Sequence, residues 1–283
     1  MRLAILVALT MVAFAANSLL TRLALANGSY DAIHFGAVRL FSGACILLFL
    51  VGLRQLRVES RAFRPKFSKP DFVATAALSL YIFAFSWAYL SLDTGLGALI
   101  LFGIVQLTMF GGALLGGEQF SRSRWTGAAM AFSGLIWLLW PNQEVVLSLP
   151  HAVVMASAGF GWGVYSLVGR GAQDPLADTA RNFLWATPIG CLAAFMLADT
   201  GSFVQNTGLG LAILSGAVTS GLGYALWYRV LPQLSGTAAA LAQLSVPVIA
   251  MGGGMLLLSE PLTLRFLFAS ILILGGIAFG LRR

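Results

Sequence analysis

The chain has 283 residues, of which 59% are hydrophobic and only 10% charged. With a mean hydropathy of +0.88, it has too little polar side chain to cover a water-soluble globule of that size. Its formal charge of +7 does not point to nucleic acid, because the basic residues fall in short segments between apolar runs, where they report topology.

Apolar runs of about 20 residues without period-two alternation favour membrane-spanning helices over an outer-membrane barrel. Ten spans are predicted, at residues 3–26, 33–53, 72–92, 95–116, 125–140, 152–168, 181–198, 208–228, 236–258 and 264–281. Each approaches the length that crosses about 30 Å of hydrocarbon. The opening stretch, Met1-Arg2 followed by apolar residues as far as Ala16, has the look of a signal peptide. It nevertheless matches the sixth span and is expected to remain as the first helix.

On the first span Phe14, Asn17, Ser18 and Thr21 share one helical face, and Trp162, Tyr165 and Ser166 share the corresponding face of the sixth. Arg39 stands about two turns inside the second span. A charge at that depth must reach water, a carbonyl or a carboxylate. A structural partner near one mouth of the bundle is expected, with a substrate carboxylate as the alternative. Cys45 and Cys191 lie within apolar runs and are expected to pack as small hydrophobes. Trp125 and Trp140, at opposite ends of the fifth span, suit interfacial anchoring, and His34 and His151, each alone near a span end, read as solvated or interfacial.

Tyr81 and Phe85 on the third span, Phe102 and Gln106 on the fourth, Tyr224 and Trp227 on the eighth and Gln243 on the ninth add polar and aromatic side chains to the interior. The fifth and tenth spans are largely aliphatic by comparison. The substrate-binding set expected from this distribution is Phe14, Asn17, Tyr81, Phe102, Gln106, Trp162, Tyr165, Tyr224 and Gln243, around a central cavity.

The chain also repeats. Residues 95–118 and 236–261 each hold a Gly/Ala-rich apolar run with one glutamine, a group of glycines and a closing glutamate, Glu118 or Glu260. Sliding the chain by roughly half its length also lays Asn17-Ser18-Leu19-Leu20-Thr21-Arg22 over Tyr165-Ser166-Leu167-Val168-Gly169-Arg170, and Asp31 over Asp178. Two five-helix halves follow, residues 1–141 and 149–283. The loop holding Arg54, Arg57, Arg61, Arg64, Lys66 and Lys69 shares a side with Arg2, Arg122, Arg170, Arg229 and the C-terminal arginines, whereas only Arg22 and Arg265 lie on the other. That bias puts both termini in the cytoplasm. An odd number of spans per half then makes the halves inverted repeats. The expected fold is all-α, with ten transmembrane helices around a cavity and the fifth and tenth outside it.

The repeated runs closing on Glu118 or Glu260-Pro261, together with Arg39 early in the second span, resemble the EamA branch of the drug/metabolite transporter superfamily over essentially the whole chain. The resemblance is nearest to its YddG-type aromatic amino acid exporters. It implies a secondary transporter of the inner membrane that exports small organic solutes by alternating access. The solutes expected here are amino acids with aromatic or large apolar side chains; another metabolite or drug class, or a non-transporting scaffold or receptor, is the alternative. Such families often carry a proline in both repeated spans, but Pro247 here corresponds to Val105 in the first half, so symmetric unwinding is not expected.

No GxxxxGK[ST], HExxH or Cys/His cluster at metal spacing occurs, so neither ATP hydrolysis nor metal chemistry is expected. The reading is no enzyme, no cofactor, no nucleic-acid partner, and a monomer or weak homodimer in the lipid bilayer. Carboxylates are missing from mid-span positions, which leaves a proton relay little to work with and favours downhill export. Glu118 and Glu260 are expected to cap helices or to pair with arginines such as Arg122 or Arg265. Gly112, Gly116 and Gly252 to Gly254, and the Gly276/Gly280 pair of the last span, allow close helix approach.

Overall fold

The computed structural model describes residues 2–26, 30–57, 69–117, 121–140, 148–169, 172–197, 206–234 and 242–280. Glu118 and Arg170 fall outside them. The described residues form helices and no strand: α1 (Arg2–Leu25), α2 (Ala32–Arg57), α3 (Lys69–Ala88), α4 (Thr94–Leu115), α5 (Arg122–Leu139), α6 (Leu149–Gly169) and α7 (Pro175–Leu197). Helix α8 is composite, α-helical over Asn206–Leu214, π-helical over Ser215–Leu222 and α-helical again over Gly223–Val230. Two more follow, α9 (Ser245–Leu258) and α10 (Leu264–Gly280).

The side chains are sorted in the reverse of a water-soluble protein. Phe41, Phe49, Phe132, Phe160, Phe195 and Phe268 face outward, while Thr10, Asn17, Thr21, Arg39, Ser86, Ser215 and Ser220 are buried. A surface this apolar is stable against hydrocarbon and unstable against water. Five helices are long and apolar enough to cross a membrane: Arg2–Leu25, Ala32–Leu56, Thr94–Leu115, Leu149–Gly169 and Thr207–Gln233. The chain is a multi-pass, all-helical membrane protein. Cys45 and Cys191 correct the expectation of interior packing, since both are exposed on the outer, apolar surface. An apolar run carries no marker of which face meets lipid. Trp125 and Trp140 are exposed as interfacial anchors would be.

Local signals account for the helix ends. Asp31 caps α2, its carboxylate accepting from the Ile33 and His34 amides at 3.0 and 2.8 Å. Ser121 caps α5 through the Arg124 amide. Residues 236–241 of the predicted ninth span lie outside the described residues, and a turn at Leu244 precedes α9, three residues before Pro247. Proline has no amide hydrogen to donate, and its ring crowds the carbonyl four residues back, that of Gln243. Helix α4, with Val105 at the equivalent place, is unbroken.

Helix α3 packs on α6, α1 on α8, α2 on α7 and on the π-helical segment, α4 on α6, and α9 on both α1 and α4. Helices α5 and α10 pack on one another and against α4. Their contact depends on glycine: a Cβ at Gly127 would sit 2.4 Å from the Gly276 carbonyl oxygen, and one at Gly276 would sit 2.7 Å from that of Gly127. Small residues that let backbones touch drive association in lipid, where burying apolar surface gains nothing.

Candidate solute-binding site

Trp162 is the hub of an aromatic cluster drawn from four helices. Its ring lies 4.9 Å from Tyr81 on α3, 5.0 Å from Tyr224 on α8, 5.5 Å from Tyr165 on α6 and 6.4 Å from Phe14 on α1. Phe14 in turn meets Tyr224 and Trp227 edge-on, each at 5.8 Å. These separations and tilts are those in which aromatic quadrupoles attract, contributing about 0.5–1.5 kcal/mol per pair beyond burial. Five of the predicted site residues, Phe14, Tyr81, Trp162, Tyr165 and Tyr224, thus form one continuous surface. Phe102 is buried in the same core, while Gln106 and Gln243 are part-buried and have no hydrogen bond to the cluster among the described residues.

Beside the rings is a polar layer centred on Asn17. Its amide oxygen accepts from the hydroxyls of Ser215 at 2.9 Å, Thr219 at 2.6 Å and Ser220 at 3.3 Å. All three donors lie in the π-helical segment of α8, a wide turn of the kind that recurs at functional sites. Small residues in SGAVTSGL let α2 approach so closely that a Cβ on Gly216 would lie 2.3 Å from the Arg39 carbonyl oxygen. The hydroxyls were a readable signal, three in a segment otherwise made of small apolar residues.

Arg39 is fully buried where these two layers meet. Its Nε donates to the Ser220 hydroxyl and its Nη2 to the Tyr81 phenol, both at 3.0 Å, and the guanidinium carbon stands 5.2 and 5.1 Å from the Tyr81 and Phe85 ring centres. The expected partner near a bundle mouth is replaced by hydroxyls and ring faces from α3 and α8. Other buried polar atoms have no partner among the described residues: the Thr75 and Ser79 hydroxyls on α3 and the Oδ1 of Asn182 on α7. Buried polar groups are rarely left so.

The two ends of the bundle differ. At the α6–α7 end a cavity of about 500 Å³ opens between Ala74, Tyr165, Val168, Asn182 and Tyr228, with Asp174, Asp178 and Arg181 at its rim. Arg54 donates to Asp174 at 2.9 Å, and that hydrogen bond holds the Asp174 carboxyl below its ordinary range. Tyr165 lines both the cavity and the aromatic cluster.

At the opposite end Glu260 and Arg22 tie the two halves of the chain together. Both carboxylate oxygens of Glu260 accept from the Thr94 amide at 2.8 Å, and Oε1 also accepts from the Thr94 hydroxyl at 2.8 Å. Arg22 lies 3.8 Å from Glu260 and 3.7 Å from Asp93 and donates to the Tyr89 and Leu90 carbonyls at 3.0 Å. Only about 50 Å³ of space remains beside this cluster. Glu260 therefore caps a helix as expected, but that helix is α4 of the other half, and its arginine is Arg22. Arg265 instead donates to the carbonyls of Trp137 and Trp140. Burial pushes the Glu260 carboxyl above its ordinary range, against the opposing pull of Thr94 and Arg22.

Comparison with known proteins places this architecture. Residues 150–282 match the model of the EamA-like transporter family. An uncharacterized protein of Pseudomonas aeruginosa is 46% identical over 97% of this chain and 92% of its own length. Proteins named probable amino-acid metabolite efflux pump in Escherichia coli and Salmonella typhimurium are 29% and 26% identical, each over 83% of this chain and 86% of their own. A solved crystal structure shares the fold, with a TM-score of 0.66 at 20% identity over 96% of each chain. The protein is a membrane transporter, and the chain belongs to the EamA-like transporter family.

Proposed function

We propose that the protein is an inner-membrane exporter of amino acids with aromatic or large apolar side chains, working by alternating access. Its ten helices all span, as two inverted repeats over residues 1–141 and 149–283, with both termini in the cytoplasm. The packing supports the repeat: exchanging each helix for the one five places on turns α3 on α6 into α8 on α1, and α4 on α6 into α9 on α1, and leaves α2 on α7, α4 on α9 and α5 on α10 unchanged. With that orientation the open cavity faces the cytoplasm and the Arg22–Glu260–Thr94 cluster closes the external side, an arrangement ready to receive solute from within.

The observation that carries the substrate class is the Trp162 hub with Asn17, Arg39 and the α8 hydroxyls beside it. A zwitterion with a large side chain needs an apolar wall for the side chain and polar groups for its two charges, and both are within one site. The names of the two efflux-pump relatives point the same way. The test is counterflow of labelled solutes in proteoliposomes. Losing the Trp162 contacts, each about 0.5–1.5 kcal/mol, lowers phenylalanine and tryptophan counterflow several-fold in Trp162→Ala and affects alanine and threonine less. Trp140→Ala, at the interface, affects all solutes alike. Equal loss for large and small solutes in Trp162→Ala rejects the aromatic class.

A further inference from the structure

Arg39 carries a full positive charge inside the membrane, and among the described residues no carboxylate pairs with it. Its Nε and Nη2 are occupied by Ser220 and Tyr81, but Nη1 is buried without a partner. The Tyr224 phenol faces the same guanidinium and interacts with it through its oxygen, which leaves its O–H directed to no acceptor. Two neutral hydroxyls and two ring faces do not neutralise a cation. Removing an ion from water costs several kcal/mol even after relaxation, and the cation–π contacts return about 0.5–2 kcal/mol each.

We propose that Arg39 is the anion anchor of the solute site and binds the carboxylate of the transported molecule. What the site lacks is an acceptor. Nη1–H and the Tyr224 O–H are donors, and an ionised carboxylate is acceptor-only, with two oxygens to offer them. A guanidinium edge presents its hydrogens in the fork that a carboxylate fits. The Trp162 cluster borders this point through Tyr81, which contacts both the indole and the guanidinium, so a solute seated on Arg39 lays its side chain along the rings. The inference deepens the proposed function and rests on its placement of the solute site: it makes the carboxylate the group that solutes must carry.

The test separates the two readings by using probes with only one charge. Equilibrium dialysis of labelled 3-phenylpropionate and labelled phenethylamine against nanodisc-embedded protein compares a carboxylate with an amine on the same ring. Wild-type protein is expected to retain 3-phenylpropionate at least tenfold better than phenethylamine. Arg39→Gln weakens the carboxylate by about tenfold or more, the effect of losing a hydrogen bond to a charged group, and Arg39→Lys recovers part of it. Equal retention of the two probes, retention of neither, or a folded Arg39→Gln protein that binds 3-phenylpropionate normally would overturn the assignment. If Arg39→Gln does not fold, the wild-type probe pair decides alone. Carboxylate-selective retention without amino acid counterflow would reject the amino acid reading and leave the anion site standing.

Discussion

Glu260, in the second half of the chain, receives the Thr94 amide of the first half on both its carboxylate oxygens at 2.8 Å. Asp93 occupies the cap position of α4 but makes no side-chain cap bond, so the free amide at the start of α4 is satisfied by a residue 166 positions away in the chain. The contact closes that end only while the halves are together. In Glu260→Ala, a cysteine at Leu96, which lines the small space beside the cluster, should react several-fold faster with an impermeant maleimide than the same cysteine in the parent. An unchanged rate would make the contact a helix cap and nothing more.

The same carboxylate gives this end a pH dependence of definite sign. Burial raises the Glu260 pKa in the closed form, with Asp93 adding to the shift and Arg22 and Thr94 opposing it. In an open form the hydrated carboxyl returns to its ordinary range, so the closed form binds its proton more tightly. Proton linkage then favours closure most below the ordinary carboxylate range, and the bias is lost as pH rises through the raised value. Maleimide labelling at Leu96→Cys, corrected for thiolate fraction, is expected to slow as pH falls through the raised value towards the ordinary carboxylate range. The slowing should disappear in Glu260→Gln.

Asn17 holds three hydroxyls of α8 on one oxygen. Asn17→Ala leaves them without their common acceptor in a buried place, at a cost of about 1–3 kcal/mol. A lower melting temperature in detergent and weaker counterflow of every solute are expected, because the whole polar layer loosens. A melting temperature equal to the parent's would mean that water replaces the amide without loss.

Gly276 and Gly127 allow α10 and α5 to touch, away from the aromatic cluster. Gly276→Leu forces the two backbones apart and is expected to destabilise the protein by about 1–3 kcal/mol, as overpacking does. The rank order of solutes in counterflow should not change. A changed order would tie the outer helix pair to the site.

Orientation is open to a direct measurement. In a cysteine-free background, Leu56→Cys should label only from the cytoplasm and Leu262→Cys only from outside. Both positions are exposed at helix ends, and labelling of both from one face would reject the inverted arrangement.

What was readable in the sequence follows the range of the interactions concerned. Phe14 and Asn17, or Trp162 and Tyr165, are three residues apart and share a face because helical geometry is local, so half of the aromatic surface was visible before any tertiary contact. The joint before Pro247 was readable for the same reason. Arg39 was not, since its partners Tyr81 and Ser220 lie 42 and 181 residues away. Glu260 has Arg265 nearby in sequence, yet the fold brings it Arg22 and Thr94. Gln106 and Gln243 each stand once in the two similar runs, but the turn at Leu244 lies beside only one of them. Cys45 and Cys191 were misjudged because an apolar helix facing lipid on one side and protein on the other has no polar stripe to orient it.

The π-helical run in α8 makes the length of this chain, and not only its composition, part of the site. Ser215, Thr219 and Ser220 lie within the run, whereas Tyr224 and Trp227 follow it. Removing one residue between positions 215 and 222 would change the spacing of the three hydroxyls along α8 or their spacing from Tyr224 and Trp227. The register that lets one segment serve both Asn17 and Phe14 would then be lost. Substitutions are constrained as well, since a Cβ on Gly216 would meet the Arg39 carbonyl oxygen at 2.3 Å. The length of this segment and the smallness of its residues are therefore both part of the site.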